Sequence, residues 1–162
     1  MRCLLLILIA FSNFAFADTA FMNYGLGVAE SAIHSKAETK VISLGYREEM
    51  WDGIYWQNRV GYWGDGSSGM GRKSSGYAAS GLGLEVDLKP VELRSGWSLA
   101  TITSPDVYLG GVFPQFSGDF SIGVRDSHGN GMAITYFHIS SAGLVTPNMG
   151  IDFVTLELSQ KW

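Results

Sequence analysis

Hydrophobic and polar residues alternate with period two along most of the chain. From Asp18 onward no window carries apolar residues at the i, i+3, i+4, i+7 spacing of an amphipathic helix. The alternation predicts eight strands. On the first, Met22, Tyr24, Leu26 and Val28 share one face and Asn23, Gly25, Gly27 and Ala29 the other; on the second, Ile42, Leu44 and Tyr46 oppose Ser43, Gly45 and Arg47. The third sets Ile54, Trp56, Val60 and Tyr62 against Tyr55, Gln57, Arg59 and Gly61, and the fourth Ala78, Leu82, Leu84 and Val86 against Gly81, Gly83, Glu85 and Asp87. Leu93, Trp97 and Leu99 then oppose Glu92, Arg94 and Ser98, while Phe116, Phe120, Ile122 and Val124 oppose Ser117, Asp119, Ser121 and Arg125. Met132, Ile134 and Tyr136 stand against Ala133, Thr135 and Phe137, and Val154, Leu156 and Leu158 against Thr155, Glu157, Ser159 and Lys161. One face is large and apolar; the other is small or charged.

The connections alternate as well. Short-turn chemistry occurs around Asp52-Gly53, Lys89-Pro90 and Asn130-Gly131, whereas the gaps from Ser31 to Thr39, Gly64 to Ser75, Ser104 to Pro114 and Ser141 to Ile151 are longer. A water-soluble sandwich gives the same alternation, so periodicity alone does not choose between sandwich and barrel. Three observations favour a barrel in the outer membrane. Arg2, the apolar run from Leu4 to Phe11 and the small-x-small site Ala15-Phe16-Ala17 read as a cleaved export signal, and no other stretch approaches the roughly 18 apolar residues of a spanning helix. Charges of both signs share the expected inner face, and the last strand ends in Trp162. Strands of about 9 to 11 residues also suit a tilted transmembrane strand. The expected architecture is all-β: an eight-stranded antiparallel transmembrane β-barrel of the outer-membrane type over residues 18–162, following a signal peptide at 1–17. Short periplasmic turns and longer extracellular loops would then place both termini in the periplasm.

Composition agrees with a lipid solvent. The chain of 162 residues has 21 glycines, 13% aromatics and only 16% charged residues, little for a soluble domain. A net charge of −4, from 15 acidic against 11 basic residues, offers no polyanion-binding surface, which excludes nucleic acid as a partner. The one cysteine, Cys3, leaves with the signal, so no disulfide is expected. Glu48, Glu49 and Asp52 lack a companion histidine or spaced ligand set, and neither a metal nor another cofactor is indicated. There is no G-x-S-x-G or H-E-x-x-H motif, and the glycine-rich stretch from Gly64 to Gly69 has no following helix, so it reads as a flexible loop. His34 and His128 read as solvated loop and turn residues.

One hairpin breaks the pattern. His138 and Ser140 share parity with Met132, Ile134 and Tyr136, and Asp152 shares parity with Val154, Leu156 and Leu158, so three polar side chains fall on the apolar face at the outer ends of adjacent strands. A polar group facing lipid costs several kcal/mol unless satisfied, which suggests mutual bonding. Ser140 as nucleophile, His138 as base and Asp152 as the group holding the imidazole tautomer make up what a hydrolase needs. Its substrate would be an ester in the outer leaflet. Tyr136 and Phe137 read as interface or packing residues.

The same segment, His138, Ser140, Ser141, Ala142, Gly143, then Pro147-Asn148 and Asp152, resembles the outer-membrane lipid A 3-O-deacylases, whose C-terminal hairpin carries His-x-Ser-Asn-Ala-Gly, a Pro-Asn pair and a glutamate fourteen residues after the histidine. The motif match covers about residues 137–153; elsewhere the resemblance is one of length and strand pattern. It departs twice, with Ser141 where the family has asparagine and Asp152 where it has glutamate, so this shorter carboxylate must approach its histidine more closely. The resemblance implies an esterase removing the 3-O-linked hydroxyacyl chain of lipid A through His138, Ser140 and Asp152. Asn148, with backbone N–H groups near Ala142 and Gly143, would support the oxyanion. Ser141, Arg72 and Lys73 are candidate contacts to lipopolysaccharide, and a homodimer is the candidate assembly. A non-enzymatic barrel acting through its loops, or an esterase or phospholipase of other lipid specificity, stands as the alternative.

Overall fold

The computed structural model describes residues 18–28, 39–64, 74–104, 109–144 and 150–162; the expected export signal lies outside them. Eight antiparallel strands, β1 (Thr19–Val28), β2 (Lys40–Trp51), β3 (Ile54–Trp63), β4 (Ser75–Asp87), β5 (Val91–Ile102), β6 (Gln115–Arg125), β7 (Asn130–Ser140) and β8 (Ile151–Lys161), pair each with the next. β8 returns to β1, and the barrel is closed. Closure leaves no unpaired sheet edge, the condition a β-structure must meet in hydrocarbon. Most of the predicted outward set is exposed, as in Leu26, Leu44, Leu82, Trp97, Ile122, Ile134 and Leu156, whereas Tyr46, expected on that face, is buried.

Connections of two, three and four residues join β2 to β3, β4 to β5 and β6 to β7 at the end that also carries the termini. The other four are long and lie at the opposite end. One turn sits earlier than the sequence suggests. Asn130 and Gly131 already belong to β7, and the reversal is made by residues 126–129 with Gly129 at φ 87°. Its cause is Asp126, whose Oδ1 accepts from the backbone N–H groups of His128 and Asn130 and whose Oδ2 accepts from Asn130 Nδ2. This Asx geometry closes the turn ahead of the Asn-Gly pair.

The lumen is divided along its length. Toward the short-turn end Glu157 receives Arg47 at 2.6 Å and Arg94 at 2.7 Å, and Glu92 receives Arg125 at 2.8 Å. Deeper in, Asp119 accepts from Gln57 at 2.8 Å and faces Arg59 at 3.4 Å. Two of the acidic residues expected inside lie elsewhere. Glu85 and Asp87 line the mouth of the barrel with Asp18, Glu49 and Asp52, around a cavity of about 410 Å3, because β4 runs past the last lumen layer. The long-loop half of the lumen is also not small or charged. Trp63, Tyr77, Phe137 and Phe153 form a closed circuit of ring contacts, with centroids 5.4 to 6.0 Å apart, packed with Val41, Ile102, Leu109, Ile139 and Ile151. An eight-stranded interior is just wide enough for side chains to fill it, and here aromatics do so. Arg59 lies 4.6 Å from the centre of the Phe137 ring and joins the two halves by a cation–π contact.

Candidate functional site

Above this aromatic plug, β7 and β8 present their outward side chains. Phe137 pairs with Phe153 in register, and the next pair toward the long loops is His138 with Asp152. The inward rings thus fix the strand pair whose outward neighbours carry the polar groups. A site on packed strands is held more tightly than one on loops.

Directly opposed residues on one face bring their Cβ atoms within about 5 Å, close enough for an aspartate to reach a histidine. His138 Nδ1 lies 2.6 Å from Asp152 Oδ1, with 37% and 26% of the two side chains exposed. A deprotonated carboxylate only accepts, so Nδ1 is assigned the proton and Nε2 is left as an acceptor with no hydrogen-bond partner among the described residues. Tyr136, one outward position toward the short-turn end, pairs with Val154 and is therefore diagonal to Asp152. Its phenol O–H donates to the same Oδ1 at 2.5 Å. This contact was not foreseen from the sequence, where Tyr136 reads as packing. Parity had put Tyr136 on the same face, but its diagonal placement follows only from the register.

Ser140 is half-buried on the same face of β7 as His138 and stands opposite Phe116 of β6. Among the described residues no hydrogen bond joins it to the imidazole. The strand then ends in a tight turn, in which Leu144 N–H donates to the Ser141 carbonyl at 3.0 Å. Ala142 and Gly143 sit at φ 50° and 81°, both left-handed. For Ala142 this backbone is strained, and strain of this kind collects at functional sites. Ser141 is fully buried and engaged, whereas Ala142 and Gly143 are exposed. Asn148, Arg72 and Lys73 lie outside the described residues.

Two glycines shape the surroundings of the imidazole. Gly150 has φ 76°, and a Cβ there would come 2.5 Å from His138 Cε1 and 3.1 Å from Nε2. Only a residue without a side chain lets the ring stand where it does. On the other flank Gly118 pairs with His138 across β6 and β7, and a Cβ there would meet nothing closer than 3.9 Å. Gly118 leaves open space beside the ring, bordered by the exposed rings of Phe116, Phe120 and Trp97. A base with a free Nε2, oriented by a carboxylate and set in an apolar wall near a hydroxyl, is suited to acyl transfer from an ester embedded in lipid.

A family model described as "Lipid A 3-O-deacylase (PagL)" matches residues 40–161. No curated protein sequence matches the chain. Among solved structures it is similar to the outer membrane enzyme PagL, with TM-score 0.67 and 17% identity over 89% of this chain and 99% of that one. It is also similar to Neisserial surface protein A (NspA), with TM-score 0.62 and 10% identity over 89% and 95% of the two chains. The outer membrane protein Ail of Yersinia pestis follows, with TM-score 0.51 and 9% identity over 88% and 99%.

Proposed function

From membership in the lipid A 3-O-deacylase (PagL) family, to which this outer-membrane β-barrel belongs, we propose that it hydrolyses the 3-O-linked hydroxyacyl ester of lipid A through Ser140, His138 and Asp152. The observation carrying the residue assignment is the His138–Asp152 contact on the lipid-facing side of β7 and β8. NspA and Ail share the barrel, so the reading rests on family and side chains rather than on architecture.

In this mechanism Ser140 Oγ attacks the ester carbonyl while His138 Nε2 takes its proton, and Asp152 holds Nδ1–H and stabilises the imidazolium. Ser140 stands two residues from His138 on the same face of β7, and catalytic hydrogen bonds in unliganded sites commonly tighten only when substrate binds. The tetrahedral oxyanion is met by backbone N–H groups of the Ala142-Gly143 turn and by Asn148, each such donor being worth about 3 kcal/mol in comparable sites. His138 then protonates the leaving sugar oxygen, and water repeats the attack to release the hydroxy fatty acid. The site opens on the outer leaflet, with Arg72 and Lys73 as the candidate contacts to the substrate's polar groups; the burial of Ser141 takes it out of that set.

Mass spectrometry of lipid A from cells producing the protein tests this. The intact protein should remove one hydroxyacyl chain, and Ser140→Ala should leave lipid A unaltered while folding normally. Unaltered lipid A beside correctly folded intact protein, or full activity of Ser140→Ala, would overturn the assignment.

A further inference from the structure

We propose that Tyr136 is a positioning residue for this reaction, its phenol fixing the Asp152 carboxylate in the pose from which it receives His138 Nδ1–H. The inference rests on the catalytic reading above and concerns how a short carboxylate is held at a lipid-facing surface.

Asp152 has two rotatable bonds and stands on the outward face of β8, with Val154 the next outward residue on its own strand. The Val154 side chain offers no hydrogen-bond donor. Surrounding hydrocarbon supplies none either, so a carboxylate here turns toward the interface unless protein donors hold it down. Two donors do so, and both reach one oxygen: His138 Nδ1 at 2.6 Å and Tyr136 Oη at 2.5 Å. The imidazole alone does not define the carboxylate, because the ring can follow it. Tyr136 comes from the same strand as the imidazole but one outward position nearer the short turns, so its phenol reaches the carboxylate along the diagonal. A second donor from an independent direction turns a pair that can swing together into a fixed triangle. Short hydrogen bonds to an ionised oxygen are the strong class, suited to this task.

The phenol does not touch the reacting atoms in this scheme; it acts through Asp152. Tyr136→Phe removes one oxygen and keeps the ring, so barrel assembly should survive, which the mobility difference between boiled and unboiled protein in gel electrophoresis checks. With purified lipid A as substrate, kcat should fall roughly tenfold, at the lower end of what loss of an orienting hydrogen bond costs comparable sites, and KM should stay within about threefold. The decisive comparison is a double-mutant cycle with Asp152→Asn. If the phenol works through the carboxylate, Tyr136→Phe adds little to a protein already lacking it. Equal fractional losses in both backgrounds, or a change confined to KM, would overturn the proposal in favour of packing or substrate contact, and so would unchanged kcat. Failure of the catalytic reading itself looks different, because activity would then persist in Ser140→Ala whatever stands at position 136.

Discussion

Gly150→Ala puts the geometry of the imidazole to a quantitative test. The added methyl would lie 2.5 Å from His138 Cε1, whereas carbon atoms in contact settle near 3.5 to 4.0 Å, so the ring or the loop must yield by about 1 Å. Displacement of a catalytic group by that much is worth on the order of a hundredfold in rate. The substitution also forces alanine to φ 76°, which costs about 1 to 2 kcal/mol of stability. The two effects are read separately. Urea unfolding of the barrel in detergent micelles should register the backbone strain as a modest shift of midpoint, and kcat/KM on purified lipid A should fall about a hundredfold in protein that remains folded. Gly118→Ala is the control, since it adds a methyl on the opposite flank of the same ring without approaching any atom closer than 3.9 Å. It should retain activity within about threefold. Gly150→Ala with near-normal kcat/KM would refute the idea that His138 must stand where the glycine admits it. An equal loss in Gly118→Ala would refute the claim that displacement, rather than any added bulk, is the cause.

Two further outcomes concern the scaffold. Glu157 is fully buried between Arg47 and Arg94, so Glu157→Gln strands the Arg47 guanidinium, leaves Arg94 only Glu92 at 3.5 Å, and should lower unfolding free energy by about 3 to 5 kcal/mol. The exposed Lys161–Glu49 pair is its counterpart, and Glu49→Gln should change the same urea curves by about 1 kcal/mol or less. Asp126, fully exposed in its turn, has its carboxyl held below the usual carboxylate range, first by the Asn130 side-chain hydrogen bond and then by backbone donors. Its folded-state pKa being depressed, the stabilisation is present above the unfolded carboxylate's pKa and lost as pH falls through the folded one. Asp126→Asn keeps an acceptor but cannot titrate, so it should flatten that part of the acid limb of a stability-versus-pH profile; an unchanged limb would remove Asp126 from the account.

The strands were legible because the solvent changes sign across the barrel wall. An outward position must be apolar, so Met22 to Leu26 or Ile122 to Val124 read as strand without any partner in view. Inside, the rule is weaker, since a lumen can be filled by paired charges or by rings. That is why Trp63, Tyr77 and Phe153 were not foreseen as a plug, although the alternation had already put Phe137 on the inner face. The β6–β7 turn misled for a local reason: Asn-Gly favours a two-residue hairpin, but Asp126 captures the backbone four residues earlier. For the site, parity was enough to put His138, Ser140 and Asp152 on one face. Tyr136 and Gly150 needed register and loop conformation, and single-sequence alternation contains neither.

Polar residues on an apolar face are conspicuous for an energetic reason that also bears on mechanism. In a soluble protein a histidine, serine and aspartate on the wet side of a sheet would be lost among other polar residues. Here water is replaced by hydrocarbon, and the carboxylate and imidazole satisfy each other at 2.6 Å. The same medium strengthens any donor aimed at a developing oxyanion, because low dielectric amplifies charge–dipole interactions. Rigidity and adaptability are then divided between two parts of the fold. On the proposed reading, the His138–Asp152 pair that relays the proton sits on strands locked from behind by the Phe137–Phe153 contact, with no loop closure needed to assemble it. On the same reading, it is left to the left-handed Ala142-Gly143 turn to meet the substrate's carbonyl and sugar, where variation between lipids has to be accommodated. Changes at Tyr136, Gly150 or Phe153 should therefore act on kcat for every ester the protein accepts, and changes at 141–149 on which ester it accepts.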